Sequence, residues 1–219
     1  MKIVQFAFVA ALAATFPSTA EELTVDPEAG NNTLTAVFDA KLGERITAVS
    51  SAVACKLSLD AEGAATGSCT VPLTSIRVDN EDTKTEHFQQ WVTNKKVEPK
   101  TCALEARINS ARLKGPLVAE QSVGFSGEVT FFACGRPARD GRKESIKGTA
   151  ILFPPGSYGA AKTIRIRAHI EKFNRDRYNI GPKYTDGWLA RVQTLASVVA
   201  EEGTIDLNIF AKGAPPADK

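Results

Sequence analysis

His87 and His169 are the only imidazoles in this chain of 219 residues, so any histidine-based general acid, base or metal site would have to use them. His87 follows Glu86 in a polar segment with helical spacing, where such a pair is normally an exposed polar contact. His169 lies on the polar side of an alternating run and reads as a solvated strand residue. Neither stands near a nucleophile in a recognisable pattern, and the sequence has no glycine-rich phosphate loop, GxSxG elbow or HExxH helix. Asp79, Glu81, Asp82 and Glu86 form an acidic cluster that could hold a cation. They also stand where a helix begins, and carboxylates are favoured there by the helix dipole. Arg165 and Arg167 share a strand's polar face and could meet an anionic headgroup, whereas Arg136, Arg139 and Arg142 fall in a turn and read as surface charge. Asn31-Asn32-Thr33 matches a glycosylation sequon, which matters only on a eukaryotic secretory path. The expectation is a protein that is not an enzyme, with no catalytic residue, no metal and no cofactor of its own.

The four cysteines, Cys55, Cys69, Cys102 and Cys134, contain no CxxC pair. Structural zinc is therefore disfavoured and disulfides are expected. Strand spacing selects among the three pairings. Cys55-Lys-Leu-Ser-Leu-Asp60 alternates, Ala61–Ala64 turns, and Thr66–Val71 returns, so a hairpin centred on Glu62 sets Cys55 opposite Cys69. The same arithmetic centres Cys102 and Cys134 on Val118, inside a long connection over Leu113–Gln121. Directly opposed, non-hydrogen-bonded strand residues have Cα atoms about 4.5 Å apart, within reach of a disulfide. The pairing expected is Cys55–Cys69 and Cys102–Cys134.

Disulfides need an oxidising compartment, and the N-terminus supplies an address. Residues 1–20 read as a secretory signal peptide: Lys2, then an apolar run from Ile3 to Ala14 broken only by Gln5, then Pro17 and the small residues Ser18-Thr19-Ala20. The run is too short for a membrane span of about 20 apolar residues. The reading is a chain exported to the periplasm, or secreted, with a domain over residues 21–212 and a flexible tail over 213–219. Lys and Arg number 27 against 25 Asp and Glu, a formal charge of +2, so no basic excess points to nucleic acid.

The elements that must position any site are mostly strands. Period-two alternation marks 33–39, 53–60, 66–77, 102–110, 124–133, 147–153, 163–173 and 204–211. The clearest run sets Ile164, Ile166, Ala168 and Ile170 on one face and Arg165, Arg167, His169 and Glu171 on the other. Two segments have helical spacing: Asn80–Val92, with Phe88, Trp91 and Val92 on one side, and Asp186–Ala196. Many strands with Gly, Asn, Asp and Pro turns and no βαβ spacing predict an antiparallel barrel or sandwich.

The order of these segments resembles the YceI-like family of exported bacterial proteins. Glu22-Leu-Thr-Val-Asp-Pro27 is similar to the family's opening strand, and Arg77–Phe88 to its polar stretch leading into a short helix. Phe125-Ser-Gly-Glu-Val-Thr-Phe131, Phe173–Gly181 and Glu202–Ile209 resemble three later segments, in the family's order. Ala133-Cys134-Gly135 departs from the family's His-Gly turn. The four cysteines and the polar connection Arg136–Lys147 are also departures.

The resemblance implies an all-β fold: an eight-stranded antiparallel lipocalin-like barrel with one or two short helices. It also implies an apolar tunnel that holds an isoprenoid lipid, such as a quinone or polyprenyl compound, for shielding or transport through the periplasm. Such a role leaves room for transient membrane contact. Alternation then makes Phe38, Leu104, Phe131, Ile166, Ile170 and Leu207 the candidate walls, with Phe88, Trp91 and Trp188 covering an open end. Parity through Cys102–Cys134 selects Phe132 as the inward residue, whereas the resemblance selects Phe131; a bulge near Ala133 would reconcile them. The alternative function is a filled structural or stress-related barrel that acts through protein partners.

Overall fold

A computed structural model describes residues 20–29, 31–40, 43–185 and 199–213. The leader through Thr19, the expected second helix with Trp188, and residues 214–219 of the tail lie outside the described residues. The strands are β1 (Glu21–Val25), β2 (Thr33–Ala40), β3 (Arg45–Ser50), β4 (Ala54–Leu59), β5 (Ala64–Pro72) and β6 (Arg77–Val78). After helix α1 (Asp82–Thr93) come β7 (Ala103–Leu113), β8 (Ser122–Ala133), the short β9 (Arg136–Pro137), β10 (Glu144–Phe153) and β11 (Thr163–Asn174). A one-turn helix α2 (Pro182–Thr185) precedes β12 (Val199–Gly213).

These strands make eight staves. β1 and β2 run in the same direction along one edge of β12, with Leu23 opposite Gly213 and Thr33 opposite Asn208. β3 and β4 form the next stave, and β5 and β6 the third. The staves β7, β8, β10, β11 and β12 follow in antiparallel order, and the pairing of β1 with β12 closes the ring. The fold is a closed eight-stranded antiparallel barrel. Asn32 holds the β1–β2 corner: its buried amide donates to the Asp26 carbonyl at 2.8 Å and accepts from the Phe210 N–H at 3.0 Å. Leu73–Ser75, a single 3₁₀ turn, divides the expected strand 66–77 into β5 and β6.

Both expected disulfides form, the first by the hairpin arithmetic and the second just outside the β7–β8 ladder, whose pairs are not centred on Val118 and shift between Ile108 and Ser110. Cys55 and Cys69 are opposed in the β4–β5 ladder with Cα atoms 4.1 Å apart, and the Cα atoms of Cys102 and Cys134 are 4.8 Å apart. The β7–β8 register resolves the Phe131/Phe132 question. Ala106 pairs with Phe131 and Leu104 with Ala133, so Phe131 faces inward and is 8% exposed. Phe132 faces out beneath the Arg107 guanidinium. Cys134 has a φ of 49°, and this left-handed residue supplies the register change that would otherwise need a bulge at Ala133.

The two ends of the barrel differ. One end carries the β2–β3 turn, α1, the β9 hairpin and the connection through α2. The acidic cluster is structural there. The Asp79 carboxylate accepts from the Thr47 N–H at 2.8 Å and from Lys84 at 2.9 Å, and Arg77 meets Asp82. At the other end, the described residues form the turn 60–63, the connections 114–121 and 154–162, the start of β1 and the end of β12.

Candidate ligand-binding cavity

Inward positions follow from alternation, and many are small: Ala65 on β5, Ala106 and Ala111 on β7, Ala150 on β10 and Ala168 on β11. An eight-stranded barrel is normally just filled by its own side chains. These alanines leave a gap instead, a cavity of about 160 Å³. An apolar cavity of about 150 Å³ in another protein stays dry and admits benzene. The lining is apolar except for Glu105, Arg112 and His169. Two of these have partners elsewhere: Glu105 accepts from Arg107 at 2.6 Å, and His169 Nδ1 lies 2.8 Å from Asp206.

Leu104, Phe131, Ile166, Ile170 and Leu207 stand in the wall of this one cavity. Phe38, Phe88 and Trp91 do not line it, although all three pack against the core. The Phe38 ring lies over Gly203, where an added Cβ would come within 2.5 Å of it. α1 contributes no lining residue, so its aromatics do not rim an opening. They help close the opposite end. The lining runs out to Leu59, Gly63, Leu113 and Leu117, which we take as its mouth, at the end where the described connections are loops. Sequence reasoning also passed over Phe125, whose ring lies over Gly148; a Cβ there would meet it at 2.6 Å. A glycine opposite an aromatic on a neighbouring strand was the available signal.

The floor is aromatic, then polar. The rings of Phe131, Phe173 and Tyr178 lie with centroids 5.0–5.1 Å apart. Behind them the Tyr178 hydroxyl donates to Glu144 at 2.5 Å, and Arg177 donates to the same carboxylate oxygen at 2.7 Å. Glu144 is 3% exposed, so both bonds satisfy a charge that would otherwise be costly to bury. Burial first, and then the bond to Glu144, push the Tyr178 phenol far above its ordinary range. Arg175 is also buried. Its guanidinium donates to the carbonyls of Ile180 at 2.6 Å, Val199 at 2.8 Å and Ala200 at 3.0 Å, and desolvation lowers its pKa. Gly181 makes room for it, because a Cβ there would lie 2.1 Å from Nη1. No group of His, Cys, Asp and Glu among the described residues is arranged to hold a metal ion.

A closed antiparallel barrel of eight staves, with one plugged end and an apolar cavity, places the protein in the lipocalin-like fold class. No family model and no curated protein matches the chain. Among solved structures it is similar to a polyisoprenoid binding domain from Saccharophagus degradans implicated in plant cell wall breakdown. The TM-score is 0.59 at 11% identity, covering 89% of this chain and 99% of that one. At that identity the likeness concerns the fold.

Proposed function

We propose that the protein is a YceI-like carrier that holds the tail of an isoprenoid lipid, of quinone or polyprenyl type, in its barrel after export to the periplasm. The observation that carries this reading is the apolar cavity behind a rim of short loops. Burying one five-carbon isoprene unit contributes up to about 4 kcal/mol before binding costs, so a tail binds without polar anchors. The likeness in fold to a polyisoprenoid binding domain points the same way. On this reading the protein needs neither a cofactor nor catalysis to carry its ligand, and His169, in the cavity wall, is paired with Asp206. Disulfides suit the oxidising periplasm, and no described helix is long and apolar enough to cross a membrane.

Organic extraction of the purified protein followed by mass spectrometry tests the reading. An isoprenoid in the extract supports it. A clean extract, together with no uptake of farnesol, ubiquinone or undecaprenol offered in detergent, would leave the filled-barrel reading in its place.

A further inference from the structure

Two connections rim the mouth, and both are uncharged at their tips. Residues 115–119 read Gly-Pro-Leu-Val-Ala and residues 154–161 read Pro-Pro-Gly-Ser-Tyr-Gly-Ala-Ala, in a chain that is 24% charged. They lie side by side, because Ala119 bridges Leu152 and the Glu120 N–H donates to the Leu152 carbonyl at 2.8 Å. Leu117 turns into the cavity, while its neighbour Val118 is 44% exposed and Tyr158 is 49% exposed. On the outer wall just below, Tyr158 lies between Phe153 and Phe210, with ring centroids at 4.7 and 5.5 Å, and Arg165 sits over Phe210. Lys114 and Lys212 flank this surface, and neither has an ion pair among the described residues; Lys162 is held by Glu21. Acids share this end: Asp60 and Glu62 stand in the β4–β5 turn, which abuts the first loop where the Leu113 N–H donates to the Gly63 carbonyl at 2.9 Å, Glu120 closes that loop, and Glu21 and Glu22 start β1.

Aromatic rings and short aliphatic residues at loop tips, with free lysines behind them, match a bilayer interface: apolar groups enter the acyl boundary while ammonium groups reach phosphates. We propose that the protein seats on a phospholipid bilayer through Val118 and Tyr158, with Lys114 and Lys212 on the headgroups and the cavity mouth facing the membrane. The proposal rests on the reading that the cavity takes a membrane lipid, because the seat lets an apolar tail pass without crossing water.

Sedimentation of the full protein with vesicles of equal parts phosphatidylethanolamine and phosphatidylglycerol tests it. Wild type is expected to partition onto the vesicles. The double variant Val118→Asp/Tyr158→Asp should do so at least about tenfold more weakly, with extracted lipid unchanged because neither residue lines the cavity, and Val118→Asp alone, which removes no ring contact, should weaken partitioning at an unchanged unfolding midpoint. Lys114→Glu/Lys212→Glu should weaken partitioning too, and more so at low salt. A wild type that ignores the vesicles, or tip variants that sediment as wild type does, would overturn the proposal. The two readings fail separately. Lipid-loaded protein that stays in the supernatant removes the docking surface alone, whereas isoprenoid-free protein that docks through its tips sustains the docking and removes the carrier.

Discussion

Filling the cavity should make the protein more stable and less able to bind. Ala106 on β7 and Ala150 on β10 face inward from staves separated by β8, and both line the void. Ala106→Leu and Ala150→Leu together add six carbon atoms to a space of about 160 Å³. Unfilled apolar volume costs about 24 cal/mol per Å³, so complete filling would recover about 4 kcal/mol. Imperfect fit takes back about 1 to 3 kcal/mol through strained rotamers. The net gain expected is about 1 to 3 kcal/mol, which raises the urea midpoint by roughly half to one molar. Unfolding followed by far-UV circular dichroism measures the gain on delipidated protein, and extraction measures uptake in parallel. Uptake should fall at least about tenfold, since each displaced methylene forfeits about 0.8 kcal/mol of contact with the tail. A folded double variant that still takes up a full complement of lipid would show that the ligand lies elsewhere. A loss of more than about 1 kcal/mol would show that the alanines already sit against well-packed neighbours and that no void was there to fill.

Four further predictions concern the frame around the cavity. Arg175→Ala should cost about 2 to 4 kcal/mol in urea unfolding, because three carbonyls at the β11–β12 connection lose their donor. Gly181→Ala should cost less in the Arg175→Ala background than in wild type; strictly additive losses would show that the glycine serves only its own backbone, whose φ is 150°. Asp140 and Asp176 both titrate below the ordinary carboxylate value of 3.8. The Arg177 bond does this for Asp140, while Asp176 is pushed up by burial and more than pulled back by Lys183 and Tyr184. With folded values depressed, their stabilisation is complete above the unfolded value and is lost as pH falls through the folded ones, so the urea midpoint should drop between about pH 5 and pH 2; a flat profile there would contradict the assignment. Replacing Cys102 and Cys134 by serine should cost about 3.7 kcal/mol against about 3.0 kcal/mol for Cys55 and Cys69, from closed loops of 32 and 14 residues. Paired unfolding curves showing the reverse order would mean that loop entropy does not govern these bonds.

Local rules made part of this molecule legible from its residues. β11 alternates from Ile164 to Ile170 and β12 from Gly203 onward, so Ile166, Ile170 and Leu207 reach the cavity because a period of two leaves them no other face; the ladder slips beyond Ile170 and before Gly203. Cys55 and Cys69 are paired through a four-residue turn, too short for the register to slip. β3 went unseen, since its inward residues Ile46, Ala48 and Ser50 shrink along the strand and give little apolar contrast. The Phe131 facing depended on the backbone of one residue, Cys134, which occupies the left-handed region although cysteine has no preference for it. Phe88 and Trp91 are half-buried beside the fully buried Val92, as helical spacing implies. A helix's apolar face says that it is covered, however, and not which end of a barrel it covers. Nor does alternation say that Ala106, Ala150 and Ala168 stand close enough together to leave a void; that depends on register across neighbouring staves.

The difference between the two ends decides where exchange with the cavity can occur. Opening the floor means separating Glu144 from Arg177 and Tyr178, or Arg175 from its carbonyls, and so leaving a buried charge unpaired. Breaking such a site costs about 3 to 5 kcal/mol. That makes the open floor rarer by a factor of about a hundred or more, on a scale where 1.4 kcal/mol is tenfold. At the mouth the connection 114–121 is held to β10 by the Glu120–Leu152 backbone bond and the packing of Leu117. One hydrogen bond of this kind contributes about 1 kcal/mol net, so local opening there is frequent on the same scale. If the barrel holds a lipid tail, as proposed, the tail leaves past Leu117 at least about a hundred times more often than through the α1 end. The polar network of Glu144, Arg177 and Tyr178 lies behind Phe131 and outside the cavity lining; its part in the proposed carrier is to keep one end shut and so give loading a single direction.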